Sequence, residues 1–174
     1  MPRSRPGALR AARGRFEGRR PPAWARKLPP VDRMSAAASA EVHWVEHLGV
    51  PQLGPEREGR LAGLLRAYRA FLARPGGRLR LTASSCLACP SCALDDVAEV
   101  RDAIAESYRT LPPLARAALG RLLRDLDAEF RRRTLPDPDP PPAHWAHWYE
   151  YVDDWAEWGG VPLAWWHRRL YEGA

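Results

Sequence analysis

Long apolar runs and a secretory leader are both missing from this sequence. No stretch reaches the roughly 18 consecutive apolar residues that a membrane-spanning helix needs. The N-terminus lacks the succession of basic, apolar and small residues that marks a secretory signal peptide. We therefore expect a cytoplasmic protein that has no membrane partner.

The sequence also lacks the short motifs of several large enzyme classes. It has no Gly-rich phosphate-binding loop, no serine nucleophile elbow and no Ser/His/Asp signature. The glycine pairs at 76–77 and 159–160 follow helical patterns and read as turns. These absences favour a non-enzymatic protein.

Lysine occurs once, and the positive charge that arginine supplies is unevenly distributed. Residues 1–40 hold ten basic and two acidic side chains, a formal charge of +8, whereas the other 134 residues hold 17 basic and 19 acidic ones, a charge of −2. The Arg-, Pro- and Gly-rich composition of residues 1–34 predicts a disordered basic tail. Such a tail attracts phosphate backbones without sequence specificity, so nucleic acid is a candidate partner.

Methionine is present only at Met1 and Met34. Because Met34 stands directly before the first helical pattern, we hypothesise that translation begins there and that residues 1–33 are absent in the cell. The intact mass of the native protein tests this hypothesis.

Cysteine is scarce, and all of it stands in one window, "SSCLACPSCAL" at residues 84–94. The three thiols are Cys86, Cys89 and Cys92, in the spacing Cys-x2-Cys-x2-Cys. An odd number of clustered cysteines does not make a disulfide framework. A reducing compartment fits this pattern better than an oxidising one.

Apolar residues recur at helical spacing in most of the chain, which predicts an all-α fold. Residues 35–48, 56–73, 95–111 and 112–133 each show an apolar helical face. The alternation in "RLRLTA" (78–83) predicts one extended segment. The inward positions of the three longer helices are Leu61, Leu64, Leu65, Tyr68, Phe71 and Leu72, then Val97, Val100, Ile104 and Tyr108, then Leu119, Leu122, Leu123, Leu126 and Phe130.

These patterns predict a small helical bundle at 35–134 that carries the cysteine knuckle. A Pro-rich linker at 135–142 follows, and then a Trp-rich helical segment at 143–174 with six of the eight tryptophans. This segment can pack back on the bundle or dock on a protein partner, because tryptophan is enriched at binding hot spots. Its two predicted helical faces are Trp145, Trp148, Val152, Trp155 and Trp158, then Leu163, Trp166 and Leu170.

The cysteine spacing points first to zinc. A Cys-x2-Cys turn brings two thiolates to one tetrahedral ion, and a third cysteine reaches the same ion if the chain turns into a helix there. Pro90 suits a first helical position, so Cys89 would stand at a helix N-terminus that stabilises thiolates. A fourth ligand is needed, and the best-spaced candidates are His43 and His47; the other histidines are His144, His147 and His167.

Two local resemblances offer alternatives for the same thiols. "CLACPSCALDD" resembles the cluster-binding run of bacterial-type ferredoxins, with Asp96 in place of the fourth cysteine, and this implies an iron–sulfur cluster. "CPSC" looks like the active-site dithiol of glutaredoxins, which implies thiol–disulfide redox chemistry at Cys89 and Cys92. Three reduced cysteines packed at a loop are the remaining alternative.

A further local resemblance lies at residues 43–47. "HWVEH" matches the His-x-x-Glu-His motif of inverted zinc peptidases, in which two histidines bind zinc and the glutamate activates water. The resemblance implies that His43 and His47 are ligands and that Glu46 is the base. Such peptidases use a larger α/β domain than this chain provides, so we keep the two histidines as candidate donors to the cysteine site.

Overall fold

The computed structural model describes residues 20–48, 59–82, 96–136, 164–167 and 169–170. Within these ranges the protein has four α-helices and no β-strand, which confirms the predicted all-α class. None of the described helices is both long enough and apolar enough to cross a membrane. The helices are α1 (Ala36–Leu48), α2 (Arg60–Leu72), α3 (Val97–Thr110) and α4 (Pro113–Arg133), with 3-10 helices at Ala25–Lys27 and Trp165–His167.

Helix α2 buries the apolar face that its sequence predicts. It begins after Gly59, whose φ of 79° is a backbone conformation that glycine adopts easily. The helix contacts both α3 and α4, so its apolar face lies at the centre of the bundle. All six predicted positions are buried: Leu61, Leu64, Leu65, Tyr68, Phe71 and Leu72.

Helices α3 and α4 begin with the residue types that favour helix N-termini. The Oδ1 atom of Asp96 accepts the N–H of Ala98 at 2.8 Å, which satisfies a donor that the first turn of α3 leaves unpaired. Helix α4 starts at Pro113, where a missing N–H costs nothing. Seven predicted inward residues are buried (Val97, Val100, Ile104, Leu119, Leu123, Leu126 and Phe130), and two, Tyr108 and Leu122, are partly buried against the same core.

The core is built around an aromatic ring of α4. Phe130 is fully buried, and its ring centroid lies 5.8 Å from that of Tyr68 and 5.7 Å from those of Phe71 and Trp165. Tilted and edge-on ring pairs at such distances add to the stabilisation that burial gives. The same ring therefore joins α2, α4 and the C-terminal 3-10 helix.

Residues 20–34 pack against the bundle, which differs from the predicted tail at 1–34. Val31 and Met34 belong to the main core, and the Val31 N–H donates to the Ser39 hydroxyl at 2.9 Å. Ala25 packs in a second cluster with Ala40 and Trp44 of α1. The composition of this segment is dominated by prolines and arginines, so it predicts disorder although a few apolar residues are buried. Residues 1–19 lie outside the described part of the chain.

The C-terminal residues 164–167 and 169–170 also pack against the bundle. The Leu81 N–H donates to the carbonyl oxygen of Leu170 at 2.8 Å. The Leu170 N–H donates to the carbonyl oxygen of Leu135 at 3.4 Å. The extended prediction at 78–83 thus agrees with residues 79–82. Of the last predicted helix, the described residues form a 3-10 turn at Trp165–His167, and Arg169 forms an isolated bridge with Pro136. The predicted face from Trp145 to Trp158 lies outside the described residues.

Candidate functional site

The cysteine segment joins two buried points of the bundle. Cys86, Cys89 and Cys92 themselves lie outside the described residues. On the N-terminal side, Leu81 is fully buried and hydrogen-bonded to Leu170 at 2.8 Å. On the C-terminal side, Asp96 is 3% exposed and caps α3. Residues 83–95 therefore connect two positions that the core holds in place.

His43 and His47 both contact the N-terminal segment. The Nε2 atom of His43 lies 2.9 Å from the carbonyl oxygen of Pro29. The ring of His47 lies with its centroid 4.6 Å from that of Trp24. The two histidines thus share one side of α1, as their spacing predicts, and they have partners in residues 24–29. Their role as metal ligands stays a prediction.

Glu46, which the peptidase resemblance assigns as a base, caps α2. Its Oε1 atom accepts the N–H of Leu61 at 2.8 Å, and its Oε2 atom accepts the N–H of Gly59 at 3.0 Å. Burial raises the pKa of Glu46, and the two N–H groups oppose that rise only in part. Both oxygens are engaged in holding a helix end, which is a structural role.

Asp102 binds two aromatic residues from the C-terminal segment. Its Oδ1 atom accepts the indole N–H of Trp166 at 2.8 Å, and its Oδ2 atom lies 2.7 Å from Nε2 of His167. Asp102 belongs to α3, the helix that begins directly after the cysteine segment. His167 is therefore attached to that helix. The sequence gives no signal for this contact, since 64 residues separate Asp102 from Trp166.

A buried charge network crosses the middle of the bundle. Arg101 binds both carboxylate oxygens of Asp127, at 3.0 and 2.9 Å, and the hydroxyl of Tyr68 donates to the same carboxylate at 3.0 Å. The guanidinium carbon of Arg101 lies 4.3 Å from the centre of the Trp166 ring. Burial, followed by the Asp127 charge, raises the pKa of Tyr68, so this phenol is a neutral donor.

The helical spacing of Arg101 and Asp127 in the sequence could have indicated this network. Arg101 stands four residues after Val97 and three before Ile104, so helical geometry places it on the buried face of α3. Asp127 stands in the same relation to Leu123 and Phe130. Two opposite charges that interrupt apolar faces in this way indicate a buried ion pair, and sequence reasoning missed it.

Three carboxylates lie along the start of α3, immediately after the cysteine segment. Burial, together with the neighbouring charges of Asp96 and Asp102, raises the pKa of Glu99 to about 8. They do not form a metal-binding group: among the described residues no cluster of three or more His, Cys, Asp or Glu side chains is arranged to hold an ion. Asp96 and Asp102 instead favour the protonated form of Glu99, which makes the stability of the protein depend on pH.

Comparison with known proteins gives no relative. No protein-family model, no curated protein and no solved structure matches the chain. The geometry and the cysteine spacing therefore carry the functional inference by themselves.

Proposed function

We propose that the chain is a small non-enzymatic adaptor that binds zinc through Cys86, Cys89 and Cys92. The observation that carries the proposal is that all the thiols of a 174-residue chain stand in one window. Their spacing suits tetrahedral zinc coordination. The described residues on either side of the segment, Leu81 and Asp96, are both buried, and anchored ends limit the chain entropy that ligand convergence costs.

The fourth ligand in this proposal is a histidine, with His43 or His47 as the predicted donor. Each has a partner near residues 24–29, so ligation by either one requires that partner contact to be exchanged for the metal. Zinc would then tie the cysteine segment to α1 and contribute folding free energy directly.

The adaptor surface in this proposal is the Trp-rich segment. Trp165 and Trp166 are already engaged by the bundle, through contacts with Phe130, Asp102 and Arg101. The tryptophans that remain for a protein partner are Trp145, Trp148, Trp155 and Trp158.

Metal analysis of protein purified without oxygen tests the proposal. We expect equimolar zinc, and we expect a chelator to release the metal and make the three thiols reactive. Changing Cys86, Cys89 or Cys92 to Ser should lower zinc content and melting temperature together. Ser91→Ala, in the same segment, is the matched control and should change neither.

The histidines are tested separately by His43→Gln and His47→Gln. Glutamine keeps an N–H donor for a contact such as that with Pro29 but binds zinc poorly. A ligand histidine should lose zinc affinity on this change while the apoprotein keeps its stability. If neither variant alters zinc affinity, the fourth ligand is elsewhere.

Other results would replace the proposal with a defined alternative. Iron with a broad visible absorption band would indicate an iron–sulfur protein. A reversible Cys89–Cys92 disulfide without metal would indicate a thiol redox protein. No metal and three freely reactive thiols would rule out the zinc site, and binding to nucleic acid that disappears without residues 1–33 would assign function to the basic segment instead.

A further inference from the structure

A cavity of about 280 Å³ opens between the N-terminal segment, α2 and α4, far along the sequence from the cysteines. Its apolar lining comes from Met34, Ala118, Leu122 and Leu126, and three arginines also line it. These are Arg33 from the N-terminal segment, Arg69 from α2 and Arg121 from α4. Three separate parts of the fold thus each contribute one arginine to the lining of the same small space.

The arginines are largely uncommitted within the part of the chain that the structure describes. Arg69 donates from Nε to Asp32 at 2.8 Å, which fixes its side chain but leaves its terminal nitrogens without a partner there. Arg33 and Arg121 form no ion pair or side-chain hydrogen bond with any described residue. The one acidic residue in the lining is Asp125, so the cavity lining carries an excess of positive charge.

A left-handed backbone turn at Asp32 precedes Arg33. Asp32 has a φ of 48°, in the left-handed region that aspartate tolerates better than most residues. That turn places Asp32 on Arg69 and leads directly into Arg33 and Ser35, both of which line the cavity. Ser35 also precedes α1, and its hydroxyl accepts the N–H of Ala38 at 3.3 Å. The start of α1, which carries the positive end of the helix dipole, therefore lies beside the cavity.

We propose that this cavity binds a small phosphate ester, with the phosphate among Arg33, Arg69 and Arg121 and the organic group against Met34 and Leu122. A phosphate monoester carries close to two negative charges at neutral pH and accepts several hydrogen bonds, which matches three arginines better than a single carboxylate does. The volume is at the lower end for ligand pockets, so the ligand is a small molecule. This site is independent of the proposed zinc site.

The test is a calorimetric or NMR titration of the full-length protein with phenyl phosphate, at constant ionic strength. Phenol and chloride are the controls, because phenol lacks the phosphate, and chloride is an anion without the phosphate oxygens or the organic group. We expect saturable binding of phenyl phosphate and none of phenol. Arg121→Gln should weaken binding about tenfold, since it removes charge-assisted hydrogen bonds.

Arg124→Gln is the matched control for Arg121→Gln. Arg124 is exposed on the same helix, one turn further on, and does not line the cavity, so the two variants make the same change in net charge. Equal weakening by both variants would overturn the proposal, because it would show diffuse attraction instead of a site. The absence of saturable binding, or equal binding of phenol, would overturn it as well.

A second variant tests whether the phosphate lies in this cavity. Asp125→Asn removes the one carboxylate that the described residues place in the lining, so phosphate should bind more tightly. If this change weakens the binding of phenyl phosphate instead, the phosphate does not lie near Asp125 and its assignment to this cavity is wrong. Should Arg121→Gln fail to fold, Arg33→Gln tests the same contact from the exposed N-terminal side of the cavity.

Discussion

Arg101 and Asp127 show how this small bundle places charge in its interior. The side chains are only 8% and 13% exposed, and the pair is completed by the Tyr68 hydroxyl and the Trp166 ring. An ion pair buried in this way gives up hydration that its mutual attraction only partly replaces. Removing one member of the pair therefore destabilises the protein mainly because the other charge stays buried without a partner.

Arg101→Met should destabilise the protein by about 3–5 kcal/mol, because it leaves the Asp127 carboxylate buried without a positive partner. Urea unfolding measures this loss. Arg132→Met is the control, since Arg132 pairs with Glu129 on the surface and its removal should change stability little. If the double variant Arg101→Met and Asp127→Leu is no more stable than Arg101→Met alone, the buried carboxylate is not the cause.

Glu99 makes stability depend on pH in a direction opposite to the common one for carboxylates. Its pKa is raised from 4.5 to about 8 in the folded protein, so the folded state holds a proton that the unfolded state has released over that interval. Stability from this group is complete below pH 4.5 and is lost as the pH rises through 8. Glu99→Gln should remove this decline and leave the protein more stable than wild type at the alkaline end.

The measurement for Glu99 is urea unfolding at a series of pH values. Glu106→Gln, on the same helix, is the control and should keep the wild-type decline. If Glu99→Gln follows the wild-type curve, the carboxyl does not hold the raised pKa that burial among Asp96 and Asp102 implies.

Helix α1 organises two other helices through its carboxylates. Glu46 accepts the N–H groups of Gly59 and Leu61 at the start of α2, and Glu41 accepts the N–H of Ala115 at the start of α4 at 2.9 Å. Neither α2 nor α4 has a side-chain cap from its own N-cap residue. The negative charges also lie at the positive ends of two helix dipoles.

Glu46→Ala and Glu41→Ala should each destabilise the protein by about 1 kcal/mol, as the loss of a helix cap does. The matched comparison is Glu46→Gln, which keeps one carbonyl acceptor for the two N–H groups and should retain part of the stability. Thermal unfolding of the variants measures the difference. Equal melting of Glu46→Ala and wild type would contradict the capping role.

The helices were predictable from the sequence, and their mutual contacts were not. The faces of α2, α3 and α4 follow from the spacing of Leu, Val, Ile and Phe alone, because burial of one helical side needs only local periodicity. The caps from α1 join residues 13 to 74 positions apart, and no local pattern encodes such a distance. The cysteine spacing predicts a ligand type, whereas the fourth ligand depends on tertiary arrangement.

At the scale of the whole molecule, the N-terminal segment contributes to the core. Val31 is fully buried, Ala25 packs with Trp44, and Asp32 binds Arg69. None of these residues belongs to a helical periodicity, so composition alone placed them in a tail. A chain that starts at Met34 lacks all three contacts.

Removing residues 1–33 should therefore lower the free energy of unfolding by at least about 2 kcal/mol, the contribution of one fully buried valine. Removing residues 1–19 keeps every contact just named and should cost little by comparison. Urea unfolding of the two truncated proteins beside the full chain measures both effects. Equal stability of the two truncated forms would show that residues 20–33 contribute nothing and would favour the internal start at Met34.

The C-terminal segment has a consequence for the order of events during synthesis. Trp165 and Trp166 cover Phe130, Arg101 and Asp102, yet residues 164–170 leave the ribosome only after all four described helices. Domains begin to fold as they emerge, at about 5–20 residues per second. For several seconds, therefore, Phe130, Arg101 and Asp102 lack the two tryptophans that contact them in the finished protein, and exposed apolar surface of this kind is what chaperones bind.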